Sequence, residues 1–215
     1  MSDEPERIKI FFLGEEGVGK TSIIFQFMTG IFHDDMQHTV GITFTSPDLI
    51  FSNGETINLT NLDVPGEEQY IKYLSWLLDD FSFIVLVYNI QSKFTFERLK
   101  TFWFEKLKDK KFAQKIIAVV ANKCDSLERE VTDKEGKKFA DDINALFFNT
   151  IATNKHTIFK LYEGIIKKIN DWDEEVKLKK ILPDRVKNVE EEKKEIRGGE
   201  KNQHDKKGKK GPSCC

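Results

Sequence analysis

The chain has 215 residues, which is enough for one α/β domain with a substantial core and an appendage but too few for a second full domain. Its formal net charge of −2 argues against a general nucleic-acid-binding protein, and no nucleic-acid partner is expected. The three cysteines are Cys124, Cys214 and Cys215; this odd count, with two of them adjacent, forms no disulfide framework and indicates a reducing compartment.

The first predicted element is a strand at residues 8–13, followed by a glycine-rich loop. The loop reads G-E-E-G-V-G-K-T from Gly14 to Thr21 and has the G-x-x-x-x-G-K-T spacing of a phosphate-binding loop. Its glycines let the main chain curl round a phosphate chain, Lys20 supplies a charge for the β- and γ-phosphates, and the Thr21 hydroxyl can ligate Mg²⁺. An ordinary strand–helix turn is disfavoured because every fixed letter is present and an apolar, helix-forming segment follows.

The middle of the chain predicts alternating strands and helices. Residues 39–51 and 56–62 are strand-like and are joined by an Asn53-Gly54 hairpin signal. Residues 83–88 and 115–121 predict continuous strands buried on both faces, since 83–88 and 116–121 are apolar throughout. Between them, apolar side chains recur at helical spacing and predict a core-packed helix: Phe94, Leu99, Phe102, Trp103 and Leu107.

A capping box from Thr132 to Glu135 predicts the start of another helix, and residues 145–150 and 156–172 predict a last strand and helix. We therefore expect an α/β fold in which a mostly parallel six-stranded sheet carries helices on both faces. In such sheets ligands bind beyond the carboxyl ends of the strands, where the glycine loop lies.

The segment Asn122-Lys123-Cys124-Asp125 follows a predicted strand and indicates which base is bound. Guanine presents two adjacent donors that one carboxylate can accept, so Asp125 suits guanine and rejects adenine. Alone, this segment would be read as a surface turn. Because it lies about a hundred residues after the glycine loop, a guanine nucleotide is favoured over the ATP of a P-loop kinase, for which no acceptor-substrate site is found either.

With these motifs in this order, residues 7–172 resemble the Rab family of Ras-like small GTPases. The resemblance implies that the phosphates of GTP or GDP are held by Glu16, Gly17, Val18, Gly19, Lys20, Thr21 and Ser22. It implies that Phe32 packs against the guanine and that the base is read by Asn122, Lys123, Asp125 and the backbone of Ala152.

The same resemblance identifies two switch segments. Thr39, in T-V-G-I-T-F, is expected to close on Mg²⁺ and the γ-phosphate. In D-V-P-G, Asp63 is expected to hold Mg²⁺ through water, and the Gly66 N–H to contact the γ-phosphate. The implied metal set is thus Thr21, Thr39 and Asp63, and the implied switch depends on the γ-phosphate tethering both segments.

Glu67 stands where the family carries its catalytic glutamine, and the implied catalytic set is Glu67, Gly66 and Lys20. A carboxylate accepts but does not donate hydrogen bonds, and it repels phosphate oxygens: two unit charges about 4 Å apart interact by about 4 kcal/mol at an effective dielectric of 20. Glu16 adds a second carboxylate where the family carries a small residue. These two carboxylates predict slow intrinsic hydrolysis. The alternative is that Glu67 points into solvent and that Glu16 lowers the hydrolysis rate only slightly.

Residues 176–215 hold 13 Lys and Arg against 7 Asp and Glu, a balance of +6, and end in Cys214-Cys215. This pair resembles the Rab site for two geranylgeranyl groups, which together with nearby lysines anchor a protein stably to membranes; the alternative is a solvated charged tail with two spare thiols. We expect an N-terminal extension at residues 1–6, a GTPase domain at 7–175 and a charged tail at 176–215, disordered from about residue 190.

The resemblance implies a monomeric GTP-binding switch that hydrolyses GTP to GDP on the cytoplasmic face of intracellular membranes, with a cytosolic pool. Implied partners are effectors in vesicle traffic, an exchange factor, an activating protein and a prenyl-binding chaperone. The alternative is a pseudo-GTPase that holds its nucleotide constitutively and acts as a membrane scaffold.

Overall fold

The computed structural model of the chain describes residues 6–36, 38–73, 83–108, 115–171, 177–182 and 187–188. Its strands are β1 (Glu6–Leu13), β2 (Thr43–Thr45), β3 (Asp48–Phe51), β4 (Thr56–Asp63), β5 (Phe83–Asn89), β6 (Ile116–Asn122), β7 (Leu146–Asn149), β8 (Leu178–Leu182) and β9 (Lys187–Asn188). Its helices are α1 (Lys20–Thr29), α2 (Lys93–Arg98, a π-helical turn at Leu99–Trp103, then Phe104–Leu107), α3 (Asp133–Asp142) and α4 (Lys155–Asn170), with a 3₁₀ segment at Glu68–Tyr73.

The described strands form one sheet in the order β7-β6-β5-β1-β4-β2-β9, and β3 pairs with β4 and with β8. The five strands from β7 to β4 are parallel. This confirms the predicted α/β class, but the predicted count of six strands is wrong, since nine are present in the described residues. One added strand arises because residues 39–51 form two strands, separated at Pro47, which has no N–H to donate to a ladder.

Alternation along the central strands builds a core on each face of the sheet. In β5, Phe83, Val85 and Val87 pack on the face covered by α1 and α4, while Ile84, Leu86 and Tyr88 pack beneath α2 and α3. This two-sided burial explains the continuous apolar runs of β5 and β6. Three side chains of α2 that the sequence predicts in the core are buried there: Leu99, Trp103 and Leu107. Phe94, which was predicted with them, is 65% exposed and lies outside the core.

Two local predictions are confirmed. The Asn53-Gly54 turn joins β3 to the antiparallel strand β4, with Gly54 in the left-handed region at φ 91°. The capping box also forms: the Thr132 side chain accepts from the Glu135 N–H, and the Glu135 carboxylate accepts from the Thr132 N–H.

The first residues of the predicted charged tail add a strand to the sheet. β8 runs antiparallel to β3, and the Ser52 N–H donates to the Lys177 carbonyl over 2.8 Å. A bulge skips Lys179, so Leu178 and Ile181 both pack against the core although they are three positions apart. The sheet therefore continues past the expected boundary at residue 175. Cys214 and Cys215 lie outside the described residues.

We expect Leu178→Ala to lower the free energy of unfolding by about 1–2 kcal/mol, because the change removes apolar contact that β8 makes with the core. Urea unfolding of the full chain measures this. Lys179→Ala is the matched control, since Lys179 is exposed at the bulge and its loss should change stability by less than about 0.5 kcal/mol. Equal urea midpoints for the two variants would show that β8 adds nothing to the fold.

None of the helices within the described ranges has both the length and the apolar character needed to cross a bilayer.

Candidate nucleotide-binding site

The glycine loop connects the carboxyl end of β1 to the first turn of α1, so its N–H groups lie at a helix N-terminus, where anions are favoured. Gly19 caps this helix at φ 97°, and a Cβ there would lie 2.3 Å from the Asn122 side-chain nitrogen. Only glycine fits this position, for both its dihedral angle and its close contact. Val18 buries its side chain in the core, while its carbonyl accepts from Asn122 Nδ2 over 2.9 Å.

Lys20 lies along the inside of the loop and is only 6% exposed. Its Nζ donates to the carbonyl oxygens of Gly14 and Glu15, at 2.8 and 2.9 Å. Burial lowers the pKa of Lys20 to about 8, against the opposing influence of Asp63, Glu15 and Glu16. Because this pKa lies above 7, the ammonium is mostly charged at neutral pH. Its two hydrogen bonds hold it against the backbone of the glycine loop.

The three predicted metal ligands meet beside this ammonium. Thr21 Oγ1 lies 2.7 Å from Thr39 Oγ1 and donates to Asp63 Oδ2 over 2.5 Å. Burial raises the pKa of Asp63, an effect that the Thr21 hydrogen bond and the charge of Lys20 oppose. Among the described residues, the other oxygen, Asp63 Oδ1, is buried without a hydrogen-bond partner.

This arrangement fits a hard divalent cation. Two hydroxyls and a carboxylate supply only oxygen donors, the type that Mg²⁺ takes from proteins. A cation would also compensate the buried carboxylate oxygen that has no hydrogen-bond partner among the described residues. Thr21, Thr39 and Asp63 are therefore the residues that would hold Mg²⁺.

The second switch segment packs directly on the glycine loop. A Cβ on Gly66 would lie 2.2 Å from the Glu16 nitrogen and 2.4 Å from the Glu15 carbonyl carbon, so any side chain at this position would clash with backbone. Glu67 follows, exposed at the rim of the cavity, and accepts from Gln69 Nε2 over 2.5 Å. The carboxylate is thus near the phosphate end of the cavity, where it forms a hydrogen bond with a neighbouring amide.

The segment Asn122-Lys123-Cys124-Asp125, here called the base loop, is joined to the glycine loop through Asn122. Asn122 is fully buried, donates to the Val18 carbonyl and accepts from Thr150 Oγ1 over 3.0 Å. Lys123 has a φ of 63°, uncommon for a residue with a side chain. This turn leaves Asp125 exposed at the cavity wall, where its carboxylate is accessible to a ligand.

A single cavity of about 530 Å³ joins these parts. The predicted site residues that line it are Glu16, Gly17, Gly19, Lys20, Thr21, Ser22, Phe32, Thr39, Gly66, Glu67, Asn122, Lys123, Asp125 and Ala152. Val18 and Asp63 do not line it: the first packs in the core, and the second lies behind Thr21.

Several lining residues were not predicted from the sequence. Gln91 Nε2 donates to Ser126 Oγ over 2.8 Å, and these two follow the carboxyl ends of the adjacent strands β5 and β6. The rule that ligands bind at such ends could have indicated them. His38 also lines the cavity and its Nδ1 contacts Glu16 Oε1, which links the glycine loop to the first switch segment; no motif marks this pair.

A phosphate-binding loop, a convergent oxygen set and a carboxylate at the base end define the class of P-loop nucleotide-binding proteins. Comparison with known proteins extends this: the Ras family model matches residues 9–171. The chain belongs to the Ras family, as a divergent Rab-like small GTPase.

Relatives at 30% identity over 167 residues include the Ras-related protein Rab-22A of Homo sapiens, of Canis lupus familiaris and of Mus musculus. Each alignment covers 77% of this chain and 85% of the relative.

Proposed function

We propose that the protein is a Rab-like GTP-binding switch that hydrolyses GTP slowly and recruits effectors at intracellular membranes. The observation that carries this proposal is that one cavity is lined by Lys20, Thr21 and Thr39, with Asp63 hydrogen-bonded behind Thr21, and also by Asp125. The two groups of residues offer different chemistry: a cation and metal-binding oxygens suit phosphates, and the Asp125 carboxylate is an acceptor suited to a base.

In this proposal the loop N–H groups and Lys20 bind the β- and γ-phosphates, and Asp125 accepts from the guanine N1–H and amine. Phe32 packs against the base and the Ala152 N–H donates to it. Mg²⁺, when bound, neutralises phosphate charge. The close Thr21–Thr39 contact supports Thr39 as the residue through which the first switch segment responds to the ligand.

In this proposal the switch depends on two contacts, which we expect to lie beside the γ-phosphate when it is bound. Thr39 lies beside Thr21, and Gly66 lies against the Glu15–Glu16 backbone. Loss of the γ-phosphate would remove the ligand that both segments share, so partners that bind the tethered surface would dissociate. Effectors, an exchange factor and an activating protein are the partners expected to distinguish the two states.

Hydrolysis transfers the γ-phosphoryl group to water, and the protein positions that water and stabilises developing charge. Glu67 can accept a proton or hydrogen bond from the water, but its negative charge opposes the phosphate oxygens. Its contact with Gln69 also competes for the carboxylate. Slow intrinsic turnover follows, with an activating protein supplying the missing groups.

The second candidate is a pseudo-GTPase scaffold that retains its nucleotide. It is favoured by the two carboxylates, Glu16 and Glu67, that line the phosphate end of the cavity. The two candidates differ in exchange, because a switch must release GDP whereas a scaffold retains it.

Removal of Mg²⁺ tests the switch. We expect excess EDTA to speed release of a fluorescent GDP analogue by about tenfold or more, because a metal and a nucleotide that share a site stabilise each other's binding. Asp63→Asn should release the analogue rapidly with or without EDTA. Wild-type protein that retains its nucleotide under both conditions would favour the scaffold, and one that never binds the analogue would contradict both candidates.

The membrane proposal rests on Cys214 and Cys215, with two prenyl groups delivered by a prenyl-binding chaperone. Replacing both cysteines with serine is expected to shift the protein from the membrane to the soluble fraction of a cell lysate. Cys124→Ser is the matched control, since that half-buried thiol contacts the Ala121 carbonyl within the folded domain and its replacement should not affect partitioning. Membrane association that survives the double change would contradict the lipid anchor.

A further inference from the structure

Glu15, in the glycine loop, is held by two donors from helix α2. Its side chain is only 15% exposed, and its Oε1 accepts from Arg98 Nε over 2.8 Å and from Trp103 Nε1 over 2.9 Å. Both donors lie more than 80 positions away in the sequence. A half-buried carboxylate that accepts from two donors is held in one position, and it therefore restrains the glycine loop.

The π-helical turn of α2 makes this contact possible. Arg98 and Trp103 are five residues apart, and in a regular α-helix such positions point about 140° away from each other. In the π-helical turn, the Phe104 N–H bonds to the Leu99 carbonyl, five positions back. This wider turn reduces the angle between residues five apart, so that both side chains reach one oxygen of Glu15.

Arg98 also contacts the second switch segment. Its Nη2 donates to Glu68 Oε1 over 2.7 Å, and Glu68 begins the 3₁₀ segment directly after Glu67. The guanidinium carbon lies 3.9 Å from the centre of the Phe102 ring, and this contact restrains the orientation of the planar guanidinium group. One guanidinium therefore joins the glycine loop, helix α2 and the second switch segment.

We propose that Arg98 is a positioning residue that fixes the second switch segment on the glycine loop by bridging Glu15 and Glu68. The inference rests on the proposed function, because it concerns where Gly66 and Glu67 stand relative to the γ-phosphate. Arg98 is not among the residues that line the cavity, and it acts through Glu68. The bridge holds Gly66 in its close approach to Glu16 and keeps Glu67 at the rim of the cavity.

The bridge differs from a purely structural ion pair in what its loss should change. Glu68 is 65% exposed, and exposed ion pairs contribute little to global stability. Removal of the Glu68 contact should therefore leave the thermal midpoint nearly unchanged and increase local opening of the second switch segment. Hydrogen exchange at residues 64–73 separates these two effects.

The experiment compares Arg98→Gln and Glu68→Gln with wild type by hydrogen–deuterium exchange, using full-length protein loaded with a non-hydrolysable GTP analogue. Both variants should exchange about fivefold faster at residues 64–73. The double variant should resemble Arg98→Gln, because both single changes remove the same Arg98–Glu68 contact. Lys100→Gln is the matched control: Lys100 lies on the same helix and pairs with Glu97 instead. Its exchange at residues 64–73 should equal that of wild type.

Exchange at residues 64–73 that is the same in Arg98→Gln and Lys100→Gln would overturn the bridge, and so would independent, additive effects of the two bridge variants. If Arg98→Gln fails to fold, Glu68→Gln decides alone, since its side chain is exposed. A chain that does not bind the GTP analogue would contradict the proposed function, and the same comparison in ligand-free protein would still decide the bridge.

Discussion

Replacing Asp125 with asparagine is expected to lower the affinity for GDP by about 10³-fold or more and to raise the affinity for xanthosine diphosphate. The carboxylate is exposed at the cavity wall and accepts hydrogen bonds only. An amide there would direct a donor at the two guanine donors, and such polar mismatches discriminate strongly. Xanthine has a carbonyl in place of the exocyclic amine, so the amide would match it.

The measurement is displacement of a fluorescent nucleotide by GDP and by xanthosine diphosphate. Asp34→Asn makes the same charge change at another residue of the cavity wall and should shift either affinity by less than about threefold. A loss of GDP affinity without a gain for the xanthine nucleotide would show that Asp125 contributes charge or folding of the loop, not recognition of the base.

The second large effect concerns Glu67. Glu67→Gln is expected to raise the single-turnover rate of GTP hydrolysis by about tenfold or more, because the change removes a negative charge from the phosphate end of the cavity and adds a donor. Nucleotide affinity should change much less, since the side chain lies at the rim. Phosphate release from protein preloaded with GTP measures the rate.

Glu55→Gln is the control for this charge change, because Glu55 lies in the hairpin between β3 and β4, away from the cavity. It should hydrolyse GTP at the wild-type rate. Equal rates for Glu67→Gln and wild type would mean that the carboxylate does not limit hydrolysis. Absence of turnover in both would support the pseudo-GTPase candidate.

The sequence was sufficient for the parts of the fold and site in which neighbouring residues act together. The phosphate-binding loop spans eight consecutive residues, and the strand β5 is a continuous apolar run, so local pattern predicts both. The strand β8 was missed because its bulge at Lys179 breaks the period of two that identifies strands, and it lies in a segment rich in charge.

Contacts between distant residues were beyond the reach of sequence patterns. The π-helical turn keeps the general spacing of a helix, so nothing in the sequence distinguishes it from the regular helix predicted there. The Glu15 contacts with Arg98 and Trp103 depend on that turn. Likewise, the contact of Glu16 with His38 joins two loops that no sequence motif connects.

The role of the cavity is tested most directly by extracting and identifying the nucleotide that accompanies the purified chain, and by titrating the emptied protein with GDP and with ADP. We predict close to one guanine nucleotide per chain and binding of GDP at least about 10³-fold tighter than ADP. Equal affinity for ADP, or no binding of GDP, would contradict the assignment of this cavity to a guanine nucleotide.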